Sequence, residues 1–151
     1  MATSSTSSTP SGCTNFKLRQ LTRRVTQHYD HHLARAGLKT TQYSLLSHIA
    51  KLGPLAPGEL ARKMALDAST LTRNLQPLVA AGWVVVGEGV NARSRLLTLT
   101  DAGRELRQQA QRHWKAAQVE LNGLLGPSMV AALHGLLDQA MAAFEPGVAD
   151  E

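Results

Sequence analysis

The sequence has little cysteine, few aromatic residues and no long apolar run. Its one cysteine, Cys13, cannot form an intramolecular disulfide, so the composition gives no sign of a secreted, disulfide-stapled domain. No apolar stretch approaches the roughly 20 residues needed to span a bilayer, so we expect no membrane partner. A chain of 151 residues that is 43% apolar and only 4% aromatic is typical of one helical domain. We therefore expect a cytoplasmic protein with a single, mainly helical domain.

The sequence also lacks the short motifs that carry most enzyme chemistry. It contains no glycine-rich phosphate loop, no His-Glu-x-x-His, no Cys-x-x-Cys and no nucleophile elbow. The segment Gly87-Glu88-Gly89 is too short to be a nucleotide fingerprint. We therefore expect a protein that is not an enzyme and that uses no cofactor.

Basic residues outnumber acidic ones by a modest margin. The chain has 16 Lys and Arg against 11 Asp and Glu, a formal net charge of +5. A basic surface without function would give the same balance, so the charge alone does not identify a partner. It favours a polyanion here because arginines cluster in one segment of the chain.

The residue pattern of that segment predicts two helices joined by a tight turn. Residues 57–64 predict a short helix with proline at its first turn, and 68–81 predict a second helix after a tight break at 65–67. The second helix places its apolar positions Leu71 and Leu75 on one face. The arrangement is a helix-turn-helix whose second helix would read base edges in a major groove. The predicted DNA-binding residues on this helix are Ser69, Thr70, Thr72, Arg73 and Gln76.

A β-hairpin is predicted directly after the second helix. Residues 83–86 are a tryptophan and three β-branched valines bounded by glycine, 87–94 form a glycine-containing tip, and 95–99 form the returning strand. This hairpin is the expected wing. Arg93 and Arg95 lie where the wing would meet DNA.

Long helices flank this unit on both sides. Apolar spacing predicts helices over 14–36, from a cap at Thr40, from a cap at Thr100, and after Gly126-Pro127. Their apolar stripes exceed what the winged unit can cover, so we expect a homodimer. The fold class is mainly α with a small β-hairpin wing. The predicted segments are a disordered tail (1–13), one domain (14–145) with a DNA-binding lobe (54–100) and dimerisation helices (14–36 and 101–145), and a flexible C-terminus (146–151).

Several local runs resemble the MarR family of transcriptional regulators. The similar runs are 38–46, which opens the second helix, Leu60-Ala61 with 69–73 in the reading helix, and 96–103, which closes the wing. The resemblance extends from Thr14 to about Phe144. It implies a dimeric repressor that binds a pseudo-palindromic operator and is released by a small aromatic or lipophilic ligand. The ligand would lie in a crevice lined by His28, His32, Tyr43 and His48.

The wing departs from the family's pattern at one position. Members usually carry Asp-x-Arg, in which the acid is thought to hold the arginine for the minor groove. The matching residues here are Asn91-Ala92-Arg93. Asparagine can accept a hydrogen bond from a guanidinium, but it lacks the charge that strengthens one. A less ordered Arg93 is expected, with Arg95 sharing its role.

Two features compete with the crevice as the sensor. Cys13 directly precedes the first helix, where the helix dipole would stabilise a thiolate, so a redox-sensing repressor is one alternative. His28 and His32 share the face of Leu21 and Val25 and could hold a metal if a third ligand arrived from elsewhere. Asp30 is expected to face away from the pair and no third ligand is evident, so no metal site is predicted. An architectural DNA-binding protein without an effector is the alternative from another class.

Overall fold

The computed structural model describes residues 11–89 and 94–145. Six α-helices and one antiparallel β-hairpin follow each other along these residues. A short 3₁₀ turn, Ala34–Ala36, follows the first helix. The elements are α1 (Thr14–Leu33), α2 (Thr40–Leu52), α3 (Pro57–Lys63), α4 (Ala68–Ala80), β1 (Val84–Glu88), β2 (Arg95–Leu99), α5 (Asp101–Leu125) and α6 (Pro127–Ala142).

The first helix ends earlier than its apolar spacing predicts. The α-helical hydrogen bonds stop at Leu33, the chain tightens into the 3₁₀ turn, and Gly37 takes a left-handed φ of 72°. The carboxylate of Asp30 then accepts hydrogen bonds from both the backbone N and Oγ1 of Thr40, each at 2.7 Å. Thr40 is therefore the first residue of α2, with Lys39 rather than Thr40 in the cap position. Asp30 fixes the angle between α1 and α2.

One apolar core holds the lobe formed by α2, α3, α4 and the hairpin. It extends to the end of α1 through Leu33 and to α5 through Ala110, both of which have no exposed surface. Burying a leucine side chain stabilises the fold by about 1.5–3 kcal/mol relative to leaving it exposed. The largest fully buried side chains are Leu33, Leu45, Leu46, Ile49, Leu55, Leu60, Leu71, Leu78, Val84 and Leu97.

The hairpin is longer at its tip than the sequence predicts. β1 runs over 84–88 rather than 83–86, and its register pairs Val84 with Leu99 and Glu88 with Arg95. The predicted returning strand, 95–99, is confirmed. Leu55 lies beside β2 as an isolated antiparallel β-bridge and exchanges two backbone hydrogen bonds with Leu97, at 2.8 and 3.3 Å.

The wing joins α5 through a tightly packed corner. Thr100 caps α5: its Oγ1 accepts a hydrogen bond from Gly103 N at 3.1 Å and donates one to Gly82 O at 2.6 Å. Thr100 N donates to Trp83 O at 3.1 Å. A Cβ at position 103 would overlap that same carbonyl oxygen. Only glycine fits where α5 crosses the base of the wing.

The apolar stripe predicted on α1 is only partly buried within the chain. Leu33 is the only fully buried residue of α1, whereas Leu18 and Leu21 of the same helix are exposed. In α6 no residue is buried. Among the described residues, none of the helices is long and apolar enough to cross a membrane.

Candidate nucleic-acid interface and ligand crevice

The N-terminus of α4 is closed by the carboxylate of Asp67. This carboxylate accepts hydrogen bonds from Ser69 Oγ at 2.7 Å, from Thr70 N at 2.7 Å and from Thr70 Oγ1 at 2.9 Å. The Ser69 hydroxyl, followed by the Thr70 amide and hydroxyl, lowers the pKa of Asp67 to about 2. The exposed carboxylate is therefore charged at neutral pH and takes up donors that α4 would otherwise present to an incoming anion.

The outer face of α4 carries the predicted reading residues. Leu71 and Leu75 are buried on the inner face, as predicted, and the polar side chains opposite them are exposed, apart from the half-buried Thr70. Thr72 Oγ1 donates to Ala68 O at 2.9 Å, so this hydroxyl can still accept but not donate. Arg73 and Gln76 are the long donors that extend from this face.

Arg73 is held in place by its own helix. Its Nη2 donates to Thr70 Oγ1 at 3.3 Å, and Thr70 in turn donates to Asp67. The chain from carboxylate to hydroxyl to guanidinium orients the arginine along the outer face of α4. The remaining guanidinium donors suit the O6 and N7 acceptors of a guanine or the oxygens of a phosphate.

The wing contributes one described cation. Arg95 is exposed at the start of β2, directly opposite Glu88 in the register. Opposite charges on facing strand positions favour this register. Arg93 and Asn91 lie outside the described residues, so the interpretation of Asn91-Ala92-Arg93 stays a prediction.

A crevice of about 380 Å³ opens between α1, α2 and α5. Three aromatic rings line it: Trp114 stacks on Tyr43 with centroids 6.0 Å apart and lies 6.3 Å from Tyr29. Burial raises the pKa of the Tyr29 phenol. We call this space the aromatic crevice.

Polar groups line the aromatic crevice beside these rings. Arg107 Nε donates to Ser47 Oγ at 3.4 Å. His48 Nδ1 donates to Ser44 O at 2.7 Å, which leaves Nε2 as the lone-pair nitrogen of the neutral ring. A cation beside aromatic rings is suited to a small aromatic acid.

A larger cavity of about 560 Å³ lies between α1, α5 and α6 and is mostly apolar. Leu21, Val25 and His28 line it from α1, and Leu121 and Leu133 line it from α5 and α6. Large apolar side chains are exposed on the same three helices and just after the end of α6, and we call this set the apolar face of α1, α5 and α6. These exposed residues are Phe16, Leu18, Leu21, Val119, Leu124, Met129, Leu136, Leu137 and Met141, with Phe144 following α6.

The four residues predicted to line one effector crevice do not all line the same cavity. Tyr43 and His48 line the aromatic crevice, and His28 lines the larger cavity. His32 lines neither; its Nε2 meets Glu120 Oε2 of α5 at 2.8 Å. The sequence reasoning did not single out Glu120 or Arg107. Arg107 lies three and seven positions before Ala110 and Trp114 of the apolar stripe, so its helical spacing was the available signal.

Cys13 occupies the position before the first turn of α1. It is exposed, and its backbone O accepts a hydrogen bond from Lys17 N at 3.1 Å. The Lys17 ammonium is directed to Ser11 O at 2.6 Å. The predicted location of the cysteine at the helix start is confirmed.

Two helices joined by a tight turn, followed by a hairpin that packs beside the second helix, define a winged helix-turn-helix protein. A sequence model of the MarR family matches residues 36–94. A solved structure of the transcriptional regulator MosR from M. tuberculosis, in complex with DNA, is 32% identical, covers 89% of this chain and 100% of its own, and superposes with a TM-score of 0.74. The protein belongs to the MarR family, as its sequence resemblance indicates.

Two further relatives extend the comparison. The transcriptional repressor CouR bound to p-coumaroyl-CoA has a TM-score of 0.78 at 24% identity, over 89% of this chain and 94% of its own. The uncharacterized HTH-type transcriptional regulator YwoH of Bacillus subtilis (strain 168) is 29% identical over 84 residues, which is 56% of this chain. The aligned segment spans only 61% of the length of YwoH.

Proposed function

We propose that the protein is a dimeric, sequence-specific DNA-binding transcriptional regulator, a repressor that a small aromatic acid releases from its operator. The observation that carries this proposal is the outer face of α4, where Arg73 is oriented by Thr70 and Asp67 beside exposed Gln76. Long donors fixed on an exposed helix that follows a tight turn suit direct reading of base edges. The DNA complex of MosR supports the same role for this lobe.

Arg73 provides the direct test of sequence reading. We expect Arg73→Ala to weaken operator binding by about 1–3 kcal/mol and to relax the preference at one base pair, because a bidentate contact to a base would be lost. Lys51→Ala, which removes an exposed cation at the end of α2, is the matched control and should leave base preference unchanged. Binding measured against a randomised operator library separates the two. An unchanged preference in Arg73→Ala would reject the assigned role.

The wing arginines are assigned a different role. We expect Arg93→Ala and Arg95→Ala to weaken binding to all sequences by similar factors, because contacts with the backbone or the minor groove carry little sequence information. The slope of log affinity against log salt should fall by about one for each lost phosphate contact. A loss confined to some sequences would show that a wing arginine reads bases instead.

An architectural DNA-binding protein without an effector is the competing class. Such a protein binds through phosphates, so its affinity falls steeply with salt and varies little with sequence. A specific regulator binds its operator roughly 10³–10⁷ times more tightly than other DNA at physiological salt. The ratio of the two affinities at one salt concentration therefore distinguishes the classes.

The homodimer rests on the apolar face of α1, α5 and α6. Leu136 of α6 is 64% exposed and Phe144 is 86% exposed. Because α6 has no buried residue, contacts within the chain do little to hold this helix in place. A second copy of the chain would cover this face and pair two reading helices on half-sites about 34 Å apart. We expect Leu136→Glu to give a monomer in sedimentation and to lose operator affinity. Val79→Glu places the same charge on an exposed apolar position of α4 and should leave the protein dimeric.

Release is assigned to the aromatic crevice. Its three rings belong to α1, α2 and α5. A ligand that binds between these helices would change the angle between the DNA-binding lobe and the dimer helices. Salicylate carries an aromatic ring that can stack on Trp114 and a carboxylate that can pair with Arg107. We expect it to release operator DNA from the wild type and far less from Arg107→Gln. Release of equal strength from both proteins would place the effector elsewhere.

A thiol switch at Cys13 is the second candidate, favoured by the exposure of this cysteine at the start of α1. Peroxide would oxidise the thiol to a sulfenic acid, which a second thiol could convert to a disulfide with loss of water. Operator release under mild peroxide is compared between wild type and Cys13→Ser. Release by the wild type alone supports the thiol switch, and equal release by both rejects it.

A further inference from the structure

Two histidines of α1 and one glutamate of α5 meet where these helices pack together. His28 and His32 are one turn apart, with ring centroids separated by 5.1 Å. Glu120 approaches from α5, with its Oε2 2.8 Å from His32 Nε2. One potential ligand atom from each of the three side chains lies within 4.8 Å of those from the other two. We propose that His28, His32 and Glu120 bind a divalent transition-metal ion of the zinc type.

The donor set fits this class of ion. Two neutral imidazoles and one carboxylate form a ligand group that zinc uses when its fourth position is left to water or another small ligand. Imidazole also favours zinc over magnesium and calcium, which prefer oxygen ligands alone. The third ligand, which the sequence did not reveal, comes from a residue 88 positions after His32.

His28 is already oriented by the backbone of α5. Its Nε2 lies 2.8 Å from Ala117 O. A carbonyl oxygen can only accept, so Nε2 carries the hydrogen and the lone pair of the neutral ring is on Nδ1. A ring N–H donated to a backbone carbonyl is the outer contact that metal-binding histidines commonly make, because it fixes both the tautomer and the ring plane.

His32 has a ring nitrogen without a protein partner. Its side chain is only 11% exposed, and Nδ1 is buried with no hydrogen-bond partner in the described part of the chain. A buried polar atom without a partner costs about 1–3 kcal/mol, so such atoms are uncommon in folded proteins. Coordination would use Nε2, which already faces Glu120, so Nδ1 would stay without a protein partner in the metal-bound form as well.

Small side-chain movements would complete the coordination. Ligand atoms around a tetrahedral ion with bonds of roughly 2.0–2.1 Å are about 3.3 Å apart. The contact between His32 and Glu120 would therefore open by about half an ångström, and the widest of the three separations would close by about 1.5 Å or less. Glu120 is 64% exposed, so its side chain can rotate without disturbing the core.

A bound ion would join α1 to α5 by coordination. Both helices carry part of the apolar face of α1, α5 and α6, and both pack against the DNA-binding lobe. His28 also lines the larger cavity. The free energy of metal binding would then contribute to the stability of the folded chain. Metal binding at this site requires neither DNA nor an effector, so its test is independent of the proposed function.

The test is a Zn²⁺ titration by calorimetry on tag-free, EDTA-treated protein with Cys13 replaced by serine, so that no thiol contributes. We expect one ion per protomer, and at least a tenfold loss of affinity in His32→Gln and in Glu120→Gln. His31→Gln is the matched control, because His31 is exposed on the same helix. Its affinity should equal that of the parent protein.

A second measurement uses Co²⁺, whose visible spectrum reports on its ligands. The parent protein should develop the intense absorption bands of a four-coordinate site with nitrogen and oxygen ligands, and both Gln variants should lose them while circular dichroism shows unchanged helix content. Zn²⁺ should raise the melting temperature of the parent but not of Glu120→Gln. Equal affinity in parent and Gln variants, or no binding to the parent, would overturn the proposal. A loss in His31→Gln as large as in His32→Gln would also overturn the ligand assignment.

Discussion

Replacing Gly103 by alanine tests the corner where α5 crosses the base of the wing. The added Cβ would overlap Trp83 O, with the carbonyl carbon of Trp83 at 2.9 Å and its Cα at 3.1 Å. All three atoms belong to the backbone, so no side-chain rotation can make room. Either the start of α5 or the start of the hairpin must move, and the hydrogen bond from Thr100 N to Trp83 O would be strained with it.

Two opposing effects set the size of the change. Overpacking a rigid site costs about 1–3 kcal/mol. Alanine in a helix recovers about 0.5–1 kcal/mol relative to glycine through the lower entropy of the unfolded chain. We expect Gly103→Ala to lower the free energy of unfolding by a net amount of about 1–2 kcal/mol, because the backbone overlap is the larger effect.

Urea denaturation followed by circular dichroism measures this change, with all proteins at one concentration because a dimer's stability depends on it. Gly58→Ala is the matched control, since a Cβ at position 58 of α3 meets nothing within 4 Å. This variant should be as stable as the wild type or slightly more stable. If Gly103→Ala were as stable as Gly58→Ala, the close contact with Trp83 would not exist in solution.

Three further changes test the cap of α4, the cap of α5 and the core. Because its pKa is lowered from 3.8 to about 2 in the folded protein, the Asp67 carboxylate stabilises the fold above pH 3.8 and loses this effect as the pH falls towards 2. Acid titration of the unfolding midpoint should therefore show a smaller loss for Asp67→Asn than for wild type. Thr100→Ala should cost about 1–2 kcal/mol in urea denaturation, because the bonds to Gly103 N and Gly82 O are lost. Leu33→Ala should cost about 2–5 kcal/mol in the same assay, because this side chain has no exposed surface.

Two of these changes have a matched control variant, and Asp67→Asn is compared with wild type. Thr100→Ser keeps the capping oxygen and should recover most of the lost stability. Val79→Ala truncates a side chain that is 41% exposed and should stay within about 0.5 kcal/mol of wild type. Parallel acid curves for Asp67→Asn and wild type, or a Leu33→Ala loss no larger than that of Val79→Ala, would contradict the respective assignment.

Local patterns predicted the helices and the wing because their signals are short-range. Pro57, Thr100 and the pair Gly126-Pro127 mark ends that depend only on neighbouring residues, and the structure has helix boundaries at all of them. The α-helix ends three residues before its predicted end because the chain tightens into the 3₁₀ turn, Ala34–Ala36. Apolar periodicity does not distinguish an α-helical last turn from a 3₁₀ turn.

The sites were harder to predict because they depend on contacts between distant segments. Glu120 meets His32 across 88 positions, and no periodicity within α1 or α5 reveals which residues of the two helices face each other. Apolar spacing placed Leu21 on one face of α1, but such spacing does not show whether the same chain covers that face. In the structure Leu21 and the nearby Leu18 are exposed.

The two tryptophans of this chain give it separate optical reporters. Trp114 stacks on Tyr43 in the aromatic crevice, whereas Trp83 lies at the base of the wing against the start of α5. In Trp83→Phe, all tryptophan emission comes from the crevice and would report the arrival of the proposed aromatic acid. In Trp114→Phe, it comes from the base of the wing beside α5 and would report the proposed movement of the lobe. Stopped-flow fluorescence of the two variants would therefore time ligand entry and lobe movement separately, without any attached dye.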